Sequence, residues 1–161
     1  MKIYNDDNRL KISFKLNDEL LQKQVKPRQL LSDFLRFDCG MTGTHVGCEH
    51  GICGSCTVKI DGLTARSCLK FAVQLDGKKV ETVESFKEKP ETRNILEKFK
   101  AHHSLQCGFC TPGMVMSAID LLNHKKNPSD KEIRDWLEGN ICRCTGYQNI
   151  VAAVKEAASK M

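Results

Sequence analysis

Residues 42–58 have the sequence TGTHVGCEHGICGSCTV, a glycine-rich stretch that holds three closely spaced cysteines, Cys48, Cys53 and Cys56. Residues 40–54 include five glycines, of which Gly40 is the first and Gly54 the last. Glycine permits positive φ and lets backbone amides approach an anionic group closely. The stretch therefore predicts a loop that wraps a thiolate-bound inorganic group. The apolar residues that follow it predict a strand over 57–60.

A fourth cysteine completes the ligand set of this loop. Cys68 follows Cys56 after eleven residues, so the full spacing is C-x4-C-x2-C-x11-C. This pattern is typical of a plant-type 2Fe-2S cluster, in which each iron takes two thiolates. The sequence predicts that one such cluster is bound by Cys48, Cys53, Cys56 and Cys68. Zinc suits this set poorly, because structural zinc sites usually pair short C-x2-C motifs.

Four further cysteines form a second set, with the spacing C-x2-C-x31-C-x-C. They are Cys107, Cys110, Cys142 and Cys144. Four thiolates again suit a 2Fe-2S cluster, and the presence of the first set favours that interpretation. Two alternatives stay open for this set. One is a tetrahedral zinc site, and the other is a thioredoxin-type redox pair formed by the C-x2-C motif.

One cysteine and several aromatic residues lie outside these sets. Cys39 is expected to be a small buried apolar residue. His45 and His50 flank Cys48, and two histidines would be the ligands of a Rieske-type centre. Because four cysteines are already available, both histidines are expected to be ordinary loop residues. Trp136 is expected to fill the core of a helical region.

The first half of the chain has the pattern of strands around one helix. Apolar and polar residues alternate on both sides of the turn signal Asn17-Asp18, and Asp61-Gly62 predicts a second hairpin turn. The predicted elements are strands over 12–16, 21–25, 57–60 and 80–83 and a helix over 30–35. Together with the cluster loop, they predict a β-grasp ferredoxin domain over residues 1–86.

Strand signals stop at the charged segment 88–90, and helical patterns follow. Predicted helices cover 92–100, 111–122, 129–139 and 145–158. They predict an all-α four-helix bundle that carries the second cluster, over residues 87–161. The fold class of the whole chain is therefore expected to be α+β.

Two threonines in the second half directly follow cysteines. Thr111 is predicted to cap the second helix, and Thr145 with Gln148 to form a capping box on the fourth. Ser129 with Glu132 predicts a capping box on the third. Helix N-termini carry partial positive charge, so two of them beside one cluster would favour its anionic form and raise its reduction potential. A pseudo-twofold axis through that cluster is expected.

Composition argues against several classes of function. The 161 residues include 25 basic and 20 acidic side chains, a net charge of +5, with one Trp and two Tyr. This diffuse charge and small stacking surface argue against nucleic-acid binding. The sequence has no signal-peptide pattern and no apolar run of membrane-spanning length, so no transmembrane segment is predicted. Cysteines in ligand spacings rather than a disulfide framework favour the cytoplasm.

Three motifs resemble one protein family, the small iron–sulfur subunits of the molybdenum hydroxylases, the superfamily of xanthine dehydrogenase, aldehyde oxidase and aerobic carbon monoxide dehydrogenase. They are TGTHVGCEHGICGSCTV at 42–58, QCGFCTPGM at 106–114 and GNICRCTGYQNIV at 139–151. The resemblance implies an electron-transfer subunit with two 2Fe-2S clusters and no catalytic residue. It would relay electrons from a molybdenum–pterin centre on a large subunit to FAD on a medium subunit, in a dimer of heterotrimers.

The resemblance also implies roles for individual residues. The second cluster would lie next to the pterin, with Gln106 hydrogen-bonded to it and Cys144 closest to it, and the first cluster nearer FAD. A chain of 161 residues leaves no room for flavin or molybdenum domains, so these are expected on other chains. Two other functions stay open: a free-standing ferredoxin-like electron carrier and a zinc-stapled interaction module.

Overall fold

The computed structural model describes residues 8–87 and 89–159, and its N-terminal half contains a five-stranded sheet with the order β2-β1-β5-β3-β4. The strands are β1 Leu10–Leu16, β2 Glu19–Val25, β3 Thr57–Ile60, β4 Leu63–Arg66 and β5 Lys79–Glu81. β1 and β5 pair in parallel, whereas the other neighbouring strands pair antiparallel. The sheet is therefore mixed.

The predicted turns form as the sequence indicates. Asn17 and Asp18 have φ of 48° and 73°, and Asp61 and Gly62 have φ of 49° and 85°. Two successive residues with positive φ make the hairpin turn that matches the twist of antiparallel strands. The closing strand differs from its prediction, because β5 ends at Glu81 and Val83 begins a short 3-10 turn, Val83–Lys87.

One helix packs against the sheet and forms the first hydrophobic core. Helix α1, Leu31–Asp33, continues as a wider π-helical turn, Phe34–Asp38. The rings of Phe14 and Phe34 lie 5.6 Å apart at the centre of this core. Cys39 packs against the same core but is half-buried rather than buried as predicted, and this partial burial raises the pKa of its thiol to about 11. It therefore stays protonated at neutral pH.

The C-terminal half consists of four helices around a second hydrophobic core. They are α2 Pro90–Ala101, α3 Thr111–His124, α4 Asp130–Leu137 and α5 Gln148–Ala158. Every residue of α3 from Gly113 to Leu122 is buried, because α3 lies between β3 and β4 on one side and α2 and α4 on the other. A helix that is apolar nearly all round belongs in such a central position. Among the described residues, no helix combines the length and apolarity needed to cross a membrane.

Two of the three predicted threonine and serine caps are wrong. Thr111 is the first residue of α3, and Cys110 takes the N-cap position. Helix α5 begins only at Gln148, after Tyr147, whose φ is +67°. Thr145 therefore lies before the helix rather than at its cap. The box on α4 is confirmed, because the side chain of Ser129 accepts from the amide of Glu132 and the Glu132 carboxylate accepts from the amide of Ser129.

The structure corrects three further predictions: the start of α2, the end of α4 and the position of Trp136. Helix α2 starts at Pro90 rather than at residue 92, because proline suits a first helical turn. Helix α4 ends at Leu137, two residues before the predicted end. Trp136 is 41% exposed and tilts against the His124 ring rather than filling the core. The inward face of this short helix is taken instead by Ile133, four residues before Leu137.

Candidate metal centres

The first cysteine set is assembled by the glycine-rich loop and by a short turn after β4. Cys48 and Cys53 are half-buried, and Cys56 and Cys68 are almost fully buried. Cys68 lies in a 3-10 turn, Ser67–Leu69. Both the amide and the hydroxyl of Ser67 donate to the Cys56 carbonyl, at 3.2 and 2.8 Å. These bonds hold the distant fourth cysteine beside the third.

Backbone amides surround the sulfur of Cys48. The Cys53 amide donates to the Cys48 sulfur at 3.4 Å and, with further amides of the loop, lowers the pKa of that thiol to about 6. Burial, together with the neighbouring Cys56, raises the pKa of Cys68 to about 11. A Cβ atom at Gly47 would lie 3.1 Å from the Cys53 sulfur, so a side chain there would press against a candidate ligand.

Neither histidine of this loop turns toward the sulfurs. The Nδ1 atom of His45 lies 2.7 Å from the Phe109 carbonyl oxygen, and its ring stacks on the Phe109 ring at 4.8 Å. The Nδ1 atom of His50 is in contact with the Cys48 carbonyl oxygen. Both rings bind backbone carbonyls, as expected of loop residues. His45 also joins the first cysteine loop to the second, which the sequence did not indicate.

The second cysteine set comes together from two loops that are far apart in sequence. Its members are Cys107 and Cys110, which precede α3, and Cys142 and Cys144, which precede α5. The sulfurs of Cys107 and Cys144 lie 3.4 Å apart, and Cys110 interacts with both Cys142 and Cys107. Cys107 and Cys144 are exposed, whereas Cys142 is buried. The set therefore has one side toward the core and one toward the surface.

Local polar groups divide these four thiols into easily and poorly ionised ones. Burial raises the pKa of Cys110 to about 12, while the Phe109 amide lowers the pKa of Cys107. Burial also disfavours ionisation of Cys142, but the hydroxyl and amide of Thr145, together with the Cys144 amide and the Cys110 thiol, outweigh it, so the pKa of Cys142 is lowered. A four-thiolate set needs such donors, because it concentrates negative charge.

Tyr147 fixes the loop that carries Cys142 and Cys144. Its hydroxyl accepts from the amide of Cys142 at 2.8 Å and donates to the carbonyl of Asn140 at 3.0 Å. The amide of Tyr147 donates to the Thr145 hydroxyl at 3.2 Å, and that hydroxyl lies 3.1 Å from the Cys142 sulfur. No spacing rule signals these roles of Tyr147, which depend on the folded loop.

The two cysteine sets are joined by backbone contacts. The amide of Ile141, next to Cys142, donates to the carbonyl of Cys53 at 2.9 Å. The amide of the buried Asn140 side chain donates to the Gly54 carbonyl at 3.2 Å. A Cβ atom at Gly113 on α3 would lie 2.2 Å from the same Gly54 oxygen, so a side chain there would force the first loop away from α3. The sets therefore meet through closely packed backbone.

Charged groups reinforce the same junction. The guanidinium of Arg66, at the end of β4, donates to the Gly139 carbonyl at 2.6 Å and to the Thr57 hydroxyl. Lys59 on β3 pairs with Asp120 on α3 at 3.5 Å, and both side chains are more than nine-tenths buried. An ion pair removed from water needs its partner in place. These contacts fix the sheet and the helices in one relative position.

Apolar side chains surround the exposed part of the second set. Leu105, Phe109 and Ile141 are 42–48% exposed, and each lies within two residues of a candidate ligand cysteine. Gln106, directly before Cys107, is also exposed. An exposed apolar group around exposed thiols is typical of a surface that another protein covers. On the other set, Ile52 is 59% exposed between Cys48 and Cys53.

The donor chemistry of both sets fits a 2Fe-2S cluster. All nine cysteines are free thiols, so the eight cysteines of the two predicted sets are available as ligands. Within residues 8–87 and 89–159, no three His, Cys, Asp or Glu side chains are close enough to hold one metal ion. A 2Fe-2S cluster needs two thiolates on each iron, so it requires pairs of cysteines rather than three or four ligands around one ion. Amide and hydroxyl donors near the sulfurs suit its negative charge.

Comparison with known proteins agrees with this chemistry. The 2Fe-2S binding domain family matches residues 82–155, and the 2Fe-2S iron-sulfur cluster binding domain family matches residues 40–104. The chain is 48% identical to the gamma subunit of caffeine dehydrogenase from Pseudomonas sp. strain CBB1, covering 91% of this chain and 90% of that one. It is 45% identical to the small subunit of nicotine 6-hydroxylase from Paenarthrobacter nicotinovorans, covering 96% and 93%.

A solved structure gives the same result. A chain of quinoline 2-oxidoreductase from Pseudomonas putida 86 superposes with a TM-score of 0.89 at 44% identity, covering 94% of each chain. Identity and coverage of this size extend over both cysteine sets and over the sheet and helices that carry them. The chain belongs to the family of 2Fe-2S electron-transfer small subunits of the molybdenum hydroxylases.

Proposed function

We propose that the eight grouped cysteines hold two 2Fe-2S clusters and that the chain relays single electrons between them. A bound 2Fe-2S cluster accepts and releases one electron at a time. The observation that carries the proposal is the hydrogen bond from the Ile141 amide to the Cys53 carbonyl. It joins a residue of the first set to the neighbour of Cys142 in the second set, within a closely packed junction.

The ligand assignment follows the two groups of thiols. The first cluster is held by Cys48, Cys53, Cys56 and Cys68, and the second by Cys107, Cys110, Cys142 and Cys144. The first belongs to a β-grasp ferredoxin domain over residues 1–86 and the second to a four-helix bundle over 87–161. Two separate hydrophobic cores support this division, although Phe86 belongs to the second core.

Free thiols also support a cytoplasmic location.

Electrons enter at the second set and leave at the first. The exposed thiols of Cys107 and Cys144, with the apolar side chains around them, support docking of that side onto a large molybdenum–pterin subunit. Gln106 offers both a donor and an acceptor to the pterin, and Cys144 lies nearest to it. The first set then faces FAD on a medium subunit, in a dimer of heterotrimers. A free-standing carrier is less favoured, because the relatives named above are subunits.

Metal analysis of the purified native complex tests the proposal. We expect about four irons and four inorganic sulfides per chain, and two distinguishable reduced-state electron paramagnetic resonance signals. Stoichiometric zinc, or iron near two per chain, would contradict it. Co-purification with a molybdenum-containing and a flavin-containing chain is expected. Recovery of an iron-loaded monomer without these chains would favour the free-standing carrier.

Gln106→Leu tests the direction of electron entry. Caffeine, nicotine and quinoline, named in the three relatives, are the first substrates to screen on the complex. Gln106→Leu should keep both electron paramagnetic resonance signals. With a substrate that the complex oxidises, stopped-flow traces should show slower reduction of its iron–sulfur centres than in the wild type. Gln24→Leu, at an exposed position of β2, is the matched control. Equal rates in both variants would remove Gln106 from the pathway.

A further inference from the structure

Thr111 carries a buried hydroxyl without a protein partner. Its Oγ1 atom is one of three buried side-chain oxygens that make no hydrogen bond among the described residues. A buried hydroxyl is costly to leave unpaired, so each such atom in a folded protein calls for an explanation. Thr111 directly follows Cys110, a member of the second cysteine set, so the unpaired hydroxyl belongs to the residue next to a candidate ligand.

The position of Thr111 explains why its hydroxyl is not used within the helix. A threonine at the N-cap would accept from amides of the first turn, but the N-cap here is Cys110. The residue after Thr111 is Pro112, which has no amide hydrogen to offer. The backbone amide of Thr111 itself donates to the Gly108 carbonyl at 3.2 Å. The side-chain hydroxyl is therefore left free to donate elsewhere.

Thr145 shows what a hydroxyl in the matching place does. It follows Cys144 as Thr111 follows Cys110, and its Oγ1 atom lies 3.1 Å from the Cys142 sulfur. Because that oxygen already accepts from the Tyr147 amide at 3.2 Å, its own hydrogen is free for the sulfur. One threonine beside the set is thus already directed at a sulfur, and the other has a buried hydroxyl without an acceptor.

We propose that the Thr111 hydroxyl donates a hydrogen bond to a sulfur of the second cluster and raises the reduction potential of that cluster. The inference rests on the function proposed above. Sulfur is the acceptor that cluster binding would add beside Cys110. A hydrogen bond to sulfur stabilises the more negative, reduced state more than the oxidised state, and such bonds are one of the factors that set iron–sulfur potentials. Thr111 is a tuning residue, not a ligand.

Redox titration of the native complex tests this role. Thr111→Val removes the hydroxyl and keeps the shape of the side chain, whereas Thr111→Ser keeps the hydroxyl. We expect Thr111→Val to lower the equilibrium constant for reduction of one centre about tenfold, which is about 59 mV for a one-electron couple. Thr111→Ser should titrate like the wild type. The other centre should be unchanged in both variants.

Iron and sulfide content separates this inference from the proposed function. If wild-type protein lacks the second cluster, the proposed function itself fails. If Thr111→Val keeps the wild-type iron content and both wild-type potentials, the role of Thr111 is refuted. If Thr111→Val loses iron, two further measurements decide. One is the redox titration of Thr111→Ala. The other is the shift of the iron–sulfur stretching bands when the wild-type protein is transferred to D2O. An unshifted spectrum in D2O together with unshifted potentials in Thr111→Ala would also refute the proposal.

Discussion

The backbone amide of Ile141 donates a hydrogen bond to the carbonyl oxygen of Cys53, with 2.9 Å between nitrogen and oxygen. The two residues are far apart in sequence and belong to different halves of the chain. Cys53 is a predicted ligand of the first cluster, and Ile141 directly precedes a predicted ligand of the second. One main-chain hydrogen bond therefore connects the two candidate centres, and the contacts around it hold it in place.

Asn140 is expected to stabilise this connection. Its side chain donates to the Gly54 carbonyl at 3.2 Å and accepts from the Ser117 hydroxyl at 2.7 Å, and the residue is 2% exposed. Asn140→Ala would leave the buried Ser117 hydroxyl without its acceptor and would remove one of the donors to the Gly54 carbonyl, at a cost of about 1–3 kcal/mol. Thermal unfolding should shift down by several degrees, whereas Asn123→Ala at an exposed position of α3 should not shift it. An unchanged transition in Asn140→Ala would contradict this role.

The buried ion pair between Lys59 and Asp120 predicts a strong mutational coupling. Lys59→Met would leave the Asp120 carboxylate without its cation, and breaking a buried pair in this way costs about 3–5 kcal/mol. The double variant Lys59→Met/Asp120→Leu should recover much of that loss in thermal unfolding. Lys131→Met removes an exposed pair with Asp135 and should cost about 0.5 kcal/mol or less. Additive losses in the double variant would show that the pair is not coupled.

Glu156 predicts a pH-dependent contribution to stability. Contacts with Lys98 and with His102, whose Nε2 atom lies 2.5 Å from the carboxylate, lower the pKa of Glu156 to about 2, from 4.5. A carboxyl whose pKa is lowered by folding stabilises the protein above its unfolded pKa, and this effect disappears as pH falls from about 4.5 toward 2.

The difference in melting temperature between wild type and Glu156→Gln should therefore be present at pH 5.5 and shrink at pH 4 and pH 3. Glu97→Gln removes a partner of Arg93 in an exposed pair and controls for the loss of a surface carboxylate. Because cluster loss in acid affects wild type and variant alike, the difference between them is the quantity to follow. A difference that grows as the pH falls would refute the prediction.

Cys39 and Cys53 should respond differently to substitution. Cys39 packs against the first core as a half-buried thiol, so Cys39→Ala should keep both clusters at a modest cost in stability. Cys53→Ala should abolish the signal of one cluster and destabilise the glycine-rich loop, because metal binding and the folding of its ligand loop are coupled. Iron content and electron paramagnetic resonance of both variants are the measurements. Loss of a signal in Cys39→Ala would show that the ligand assignment is wrong.

The sequence by itself determined the local features of this protein. Cysteine spacing and glycine content identified both candidate ligand sets, alternating apolar residues such as Ile12 and Phe14 identified the strands, and Asp61-Gly62 identified a hairpin turn. These signals depend on residues close together in sequence, where spacing alone decides which side chains share a face or a loop. The capping box of Ser129 and Glu132 was predictable for the same reason.

Only the tertiary structure decided how the two halves meet. The local pattern of Thr111 and Thr145 indicated helix caps, but Cys110 takes the N-cap of α3, and the Thr145 hydroxyl accepts from the Tyr147 amide and lies beside the Cys142 sulfur. The bond between Ile141 and Cys53 uses main-chain atoms, which every residue carries, so no sequence pattern signals it. Contacts between residues distant in the chain depend on the packing of whole elements, and that packing is fixed only in the folded molecule.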